Sequence, residues 1–273
     1  MTTDWARLEE IATEAERAAI VGQMAVAVEI RLRRGESLSW ARHGAEPFLS
    51  ASTIKVAILI AVAWAIDRGE LRHDGRRSAR PEDTIEGSGV LKGMEPGLSL
   101  SIDDHAYLMI AISDNTASNV LIEAVGLDGV RAVTSSLGLD GTYLRRPFLG
   151  VLPSDDLPRN QITASDLVGT LAAIVDDQAA SAESCRWMRG LLAQQQYVER
   201  LGRDLPDGVS FSGKSGSLSG TVHDAAILDG PGGQVIISAL TSGVTRPYDV
   251  DVALGRLARA AVELGHIAEP VTT

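Results

Sequence analysis

Ser52-Thr53-Ile54-Lys55-Val56-Ala57-Ile58-Leu59-Ile60-Ala61-Val62-Ala63-Trp64-Ala65-Ile66 decides how the rest of the chain is read. From Val56 onward it is apolar on nearly every helical face, and a helix apolar all round is buried. The stretch therefore predicts a central helix, ending near Asp67-Arg68-Gly69 with Gly69 as its C-cap. A serine and a lysine stand three residues apart at its head. Residues at that spacing share a face, which brings the Lys55 amine within reach of the Ser52 hydroxyl. Burial lowers the pKa of a lysine, and a neutral amine beside a serine hydroxyl makes an activated nucleophile. The same residues also fit an N-cap serine followed by a snorkelling lysine, so the pair alone decides nothing.

Composition narrows the field. The chain has 273 residues, 45% hydrophobic and 22% charged, which is an ordinary globular composition for one large domain or two interleaved ones. Its formal net charge is −11 and no basic run is visible, which argues against a nucleic-acid partner. Only Lys55, Lys92 and Lys214 are lysines; arginine supplies the other basic residues. Arginine stays charged in proteins whereas lysine can lose its proton, so the retention of lysine at position 55 fits a chemical role. The single cysteine, Cys185, lies in a helical pattern and reads as a buried structural thiol. No histidine has metal-ligand spacing to another, and neither metal nor cofactor is expected. No secretory leader and no uncharged run of membrane-spanning length is visible. The expectation is a cytoplasmic, non-membrane protein, or a mature form whose leader preceded this numbering.

Asp4 to Ile20 reads as an amphipathic helix with Asp4 as its cap, and Met24 to Leu32 and Leu38 to Ala41 as two strands. Residues from about Leu71 to Gly97 read as loops. Helices follow at Asp103–Ile112, Thr116–Val125, Gly129–Leu137, Thr163–Val175 and Ser181–Gln195. Between them, Leu139 to Gln161 has no clear period, the mark of a lid or compact omega loop. Strands return at Val209–Lys214, His223–Leu228 and Gln234–Leu240, and Tyr248–Leu264 closes the chain as a helix. Strands at both ends and helices between predict an α/β (α+β) fold. An antiparallel sheet built from both termini (1–49 and 205–273) would be flanked by helices, with an all-helical insert (50–204) and the active site between them.

Three short patterns occur in order: Ser52-Thr53-Ile54-Lys55, then Ser113-Asp114-Asn115 in a break between helices, then Lys214-Ser215-Gly216 at a strand end. The second and third also fit a capped helix break and a strand-end turn. Together, in these contexts, they match the S-x-x-K, S-D-N and K-T-G set. Leu108–Asn119 and Gly213–Gly220 followed by His223-Asp224 extend the match. Over about residues 5–265 the chain resembles class A β-lactamases and their penicillin-binding serine-hydrolase relatives. The resemblance implies a fold of that type and chemistry through an acyl-Ser52 intermediate. Lys55 would be the general base, and Ser113 would pass a proton to the leaving group with Lys214 lowering its pKa. The backbone N–H groups of Ser52 and Ser217 would form the oxyanion hole. Asn115 would hold Lys55 and a substrate amide, while Lys214, Ser215 and Gly216 would meet a substrate carboxylate. The implied partner is a small-molecule ester, amide or β-lactam-like substrate.

One departure stands out. The family pattern T-x-L-x-R-x-E-P-x-L-N aligns without a gap on Thr142–Leu152, which puts Phe148 on the deacylating glutamate and Leu152 on the asparagine. A phenyl ring cannot take a proton. Asp155 and Asp156 lie in the same loop as substitutes that no spacing requires. Glu86-Gly87-Ser88-Gly89-Val90-Leu91 lacks the aromatic that β-lactamases often place at the cleft rim, which points to a more open site. His223 lies beside the third motif and is expected to be structural. Three readings remain open: a hydrolase or acyltransferase in which Lys55 serves both half-reactions, a β-lactamase with a replaced deacylation base, and a binding or sensing module that stays acylated.

Overall fold

The structure is a computed structural model that describes residues 5–18, 20–80, 84–150 and 157–268. Asp4, Leu152, Asp155 and Asp156, all singled out above, lie outside the described residues. The elements in chain order are α1 (Ala6–Arg17), β1 (Gln23–Leu32), β2 (Ser37–Arg42), β3 (Phe48–Leu49), α2 (Lys55–Asp67) and β4 (Arg76–Ser78). There follow β5 (Ser99–Ser101), α3 (Ile102–Ala111), α4 (Asn115–Ser136), β6 (Gln161–Ile162), α5 (Ala164–Val175) and α6 (Ala182–Leu192). The chain ends with β7 (Ser210–Gly213), β8 (Gly216–Leu218), β9 (Thr221–Gly230), β10 (Gly233–Ser242) and α7 (Pro247–Leu264).

The two ends of the chain build one antiparallel sheet in the order β2-β1-β10-β9-β7, with β8 also pairing β9. Side chains alternate across a strand, and here both faces are covered. Met24, Val26, Val28 and Ile30 of β1 join Val235 and Ile237 of β10 in a core with α1 and α7. Ala25 and Ala27 of β1, with Ile227, Ile236 and Leu240, face the helices instead. Small side chains on that face let α5 lie close, and the Ser238 hydroxyl donates to Ala164 O at 2.7 Å. Double-sided burial explains why these strands read as near-continuous apolar runs.

Within the helical part, α2 is the hub, and it packs against α3, α4, α5 and α6. Its residues from Lys55 to Ala63 are all buried. The expected break near residue 126 is present, because α4 kinks at Gly126, which takes φ 72° and ψ 157°. Ser101 and Asp104 form a capping box on α3, while Thr163 and Ser181 cap α5 and α6. Two small pairings were not anticipated. β4, inside the stretch read as loops, pairs β5 just beyond its end, and Phe48 pairs Ile162 across β3 and β6. The second matters most for the site, because it anchors one end of the long loop beside the residues that lead into Ser52. A Tyr143–Gln161 bridge closes the loop on itself. Among the described residues no helix is long and apolar enough to cross a membrane.

Leu59 is fully buried in the helical core. Leu59→Ala should lower the unfolding free energy by about 3 kcal/mol, the transfer and cavity cost of a buried leucine. Chemical denaturation checks this, and a loss under about 1 kcal/mol would contradict α2 as the hub.

Candidate active site

The segment before α2 is held tightly. Ala51 sits at φ 44°, an unfavourable region for a residue with a side chain. Thr53 N donates to Ser50 O at 3.1 Å and Lys55 N to Ser52 O at 3.2 Å, so the first turn is of the tight i→i+3 kind. Ser52 stands on this turn, buried apart from an edge open to a cavity. Strand β8 passes directly beside it. A β-carbon at Gly216 would lie 2.9 Å from Ser52 N and 3.1 Å from Thr53 N, so this close approach requires glycine. The next residue, Ser217, lines the cavity with Ser52.

Lys55 is fully buried. Its Nζ donates to Ser113 O at 2.7 Å, to Asn115 Oδ1 at 3.0 Å and to Ser113 Oγ at 3.2 Å. The direct Ser52–Lys55 hydrogen bond expected from spacing is not among these contacts, because the second motif takes the amine's donors. Burial holds the Lys55 pKa well below the usual lysine value; the nearby Lys214 adds to this and Asp114 opposes it. The Phe148 ring lies under the amine, 4.5 Å from centroid to Nζ.

The second motif is fixed from several sides. Ser113 takes φ 60°, backbone strain of the kind stored at functional sites. Asp114 caps α4 through Ala117 N at 2.9 Å, as its structural reading predicts. Its other oxygen accepts from Val90 N at 2.7 Å and Leu91 N at 2.9 Å. The rim segment around residues 86–91 is thus strapped to the motif. Asn115 Nδ2 donates to Glu86 O at 3.0 Å. The Asn115 amide is thus oriented from both ends, its oxygen by Lys55 and one N–H by Glu86 O, and the second N–H remains for a ligand in the cavity that Asn115 lines.

Lys214 is fully buried, and its Nζ donates to Ser215 O at 2.8 Å. The expected link from Lys214 to Ser113 is not among its hydrogen bonds. The Lys214 pKa is lowered to about 7, chiefly by burial, with Asp224 opposing the fall and Arg200 adding to it. Burial likewise raises Asp224 to about 7. Ser215 and Ser113 meet along a cavity of about 240 Å³ that also touches Arg200 and Gly216. A second cavity, of about 380 Å³, lies against Phe148, Leu149, Asn115 and Leu218. The two lobes share Ser52, Ser88 and Ser217, so a substrate divided at Ser52 has room on both sides. Among the described residues no His, Cys, Asp or Glu cluster is placed to hold a metal ion.

A sequence profile of the Beta-lactamase enzyme family matches residues 7–264. The chain belongs to the β-lactamase enzyme family. The β-lactamase from Sphaerobacter thermophilus DSM 20745 is 34% identical, superposes with a TM-score of 0.91 and matches 98% of this chain and 100% of its own. A variant of the class A β-lactamase of the last common ancestor of Gram-negative bacteria is 27% identical, with a TM-score of 0.84 over 95% of this chain and 98% of its own. A PBP-A mutant, solved as an acyl-enzyme complex with penicillin G, shares the fold at 24% identity, with a TM-score of 0.83 over 94% of this chain and 95% of its own.

Two features of this β-lactamase-family site concern residues around the motifs. His223 is structural, as expected. Its ring accepts from Thr241 N at 3.0 Å through Nδ1, so Nε2 carries the proton and donates to Leu49 O at 2.7 Å. Burial lowers its pKa to about 4, which keeps it neutral. Arg200 was missed by the sequence reading. It donates to His223 O at 2.7 Å, Gly216 O at 3.2 Å and Ser217 Oγ at 2.6 Å, and pairs with Asp251 at 3.1 Å. One guanidinium thus ties β8 to β9 beside Ser52. It belongs to no motif, and its segment has no period, so nothing local signalled it.

The depressed Lys55 pKa has a sign that can be checked. Between its folded value and about 10.4, the unfolded chain binds the proton and the folded chain does not, so stability rises with pH across that window. Lys55→Met removes this dependence. Thermal melts should show the variant's Tm, relative to the wild type, falling as pH rises from 7 to 10. A difference that does not change with pH would contradict the depressed amine. Gly216→Ala should cut the rate of Ser52 acylation at least ~10-fold while the fold persists, because the added methyl displaces Ser52 N from the oxyanion position. Stopped-flow acylation with circular dichroism tests this.

Proposed function

We propose that this protein is a serine hydrolase or acyltransferase that acts on an ester or amide, β-lactams included, through an acyl-Ser52 intermediate, and that it deacylates slowly to water. The observation that carries the reading is the buried Lys55 amine, hydrogen-bonded to Ser113 and Asn115 and covered by Phe148. Ser52 Oγ attacks the carbonyl carbon and its proton passes to Lys55. Ser52 N and Ser217 N bind the oxygen that becomes negative. Lys55 then returns the proton through Ser113 Oγ, 3.2 Å from Nζ, to the leaving group as its bond to carbon breaks. Ser215, backed by the Lys214 ammonium, meets a carboxylate on the leaving-group side.

Release of the acyl group runs the same path backward with an incoming acceptor, and Lys55 is the base for both halves. The carboxylate that would activate water is replaced by Phe148, whose backbone is fixed by paired hydrogen bonds to Asn119 at 2.8 and 3.0 Å. This ring favours an acceptor other than water, or a long-lived adduct. A second reading, steady β-lactam turnover, is favoured by the name of the Sphaerobacter thermophilus relative.

Intact-mass spectrometry after mixing with nitrocefin or penicillin G should find a persistent adduct on Ser52, with a burst but little steady turnover. No adduct, together with unchanged activity in Ser52→Ala, would reject the proposal; sustained nitrocefin turnover would favour the second reading. The acylation rate should rise with pH along a limb well below pH 10.5, the ordinary lysine value. Phe148→Glu supplies a base at the water-activating position and should speed deacylation ~10-fold or more.

A further inference from the structure

The larger lobe has one feature that the acyl transfer above does not use. Of the described side chains lining it, only Arg146 is charged. Its neighbours there are mainly apolar or small, with Leu49, Phe148, Leu149 and Leu218 prominent. Arg146 is half-buried. Its Nε donates to Pro158 O at 2.9 Å and Nη1 to Pro147 O at 2.9 Å, which leaves Nη2 uncommitted among the described contacts. No carboxylate of the described residues pairs with it. Burial lowers its pKa, and no acid among the described residues compensates. The adjacent Arg145 differs: it stacks on Tyr143 with 4.3 Å from Cζ to the ring centroid, and bonds Gln161 Oε1 at 2.7 Å and Arg159 O at 2.9 Å. Arg42 and Arg200, by contrast, are paired with acids.

A partly desolvated cation without a counter-ion is costly. Lining an apolar cavity, it is also the donor that fixes the orientation of an incoming anion, because guanidinium and carboxylate match in geometry. We propose that the acyl group delivered to Ser52 has an apolar body and ends in a carboxylate, which Arg146 binds. This deepens the acyl-enzyme reading above and rests on it. It assigns an acidic group to the acyl side, apart from the carboxylate that Ser215 and Lys214 meet on the leaving-group side.

Two nitrophenyl esters isolate the effect. 4-Nitrophenyl hexanoate and the mono-4-nitrophenyl ester of adipic acid share a leaving group and a chain length, and differ in the terminal carboxylate. Acylation of Ser52 releases nitrophenolate, and the readout is the ratio of kcat/KM for the adipate ester over the hexanoate ester, after subtraction of spontaneous hydrolysis. The wild type should prefer the adipate ester ~10-fold or more, the range of a hydrogen bond between charged groups. Arg146→Gln should bring the ratio to about one or below, and Arg146→Lys should keep part of the preference. A ratio taken within one variant cancels differences in folded fraction, and the wild-type ratio stands even where a variant fails to fold. A wild-type ratio at or below one, or an Arg146→Gln ratio equal to the wild type's, overturns the inference while acyl-Ser52 chemistry survives. If neither ester labels Ser52 in the wild type, the acyl-enzyme reading itself fails and this inference goes with it.

Discussion

An amine held out of water is the constraint on which the site depends. Lys55 is buried by the most apolar helix in the chain, so its charge is disfavoured and its proton is available for exchange. Keeping it there requires acceptors, and Ser113 O and Asn115 Oδ1 supply them. Placing those acceptors in turn requires a strained residue at Ser113, a capped helix start at Asp114 and a rim segment bonded to Asp114 and Asn115. The structure spends stability on this arrangement, as active sites commonly do. Ser52 needs no hydrogen bond from the amine in the resting state; it needs the amine in the right protonation state nearby.

The acceptor half of the chemistry is governed by what is absent from position 148. In the family pattern a carboxylate stands there, and here an aromatic ring covers the amine instead. The ring covers that face of Lys55 and offers no group that can take a proton from water. The asymmetry separates the two half-reactions physically. In the proposed mechanism acylation uses groups already placed around Ser52, whereas release depends on what the acceptor itself brings into the larger lobe.

Much of this was legible before any coordinates. Apolar strand-like runs at both ends of the chain announced a sheet whose strands are far apart in sequence, and the three motifs with their flanking residues predicted that Ser52, Ser113 and Ser217 lie near one another. The reading erred where structure is set by contacts that leave no local pattern. Two-residue pairings such as β3 with β6 have no period to detect. Shared helical face predicted a bond between Ser52 and Lys55, but the tight first turn and nearer acceptors on the second motif redirected the amine. Nothing in the sequence signalled that Glu86 O orients the Asn115 amide, because that contact comes from a rim segment with no local pattern. Arg200 was invisible because its partners come from β8, β9 and α7, brought together by the sheet.

The sheet also sets an order of events during synthesis. In it, Gln23 of β1 pairs with Ser242 of β10. The first strands therefore leave the ribosome without their main partner and wait for nearly the whole chain to follow. The helices around α2 rest on contacts closer in sequence and form sooner, since short loops close at less entropic cost. Ser52 is then in place early, but β8 arrives late, and with it the second half of the oxyanion site. A nascent or C-terminally truncated chain would carry the nucleophile without the means to use it. On the proposed mechanism the protein would stay chemically silent until its last strands have docked.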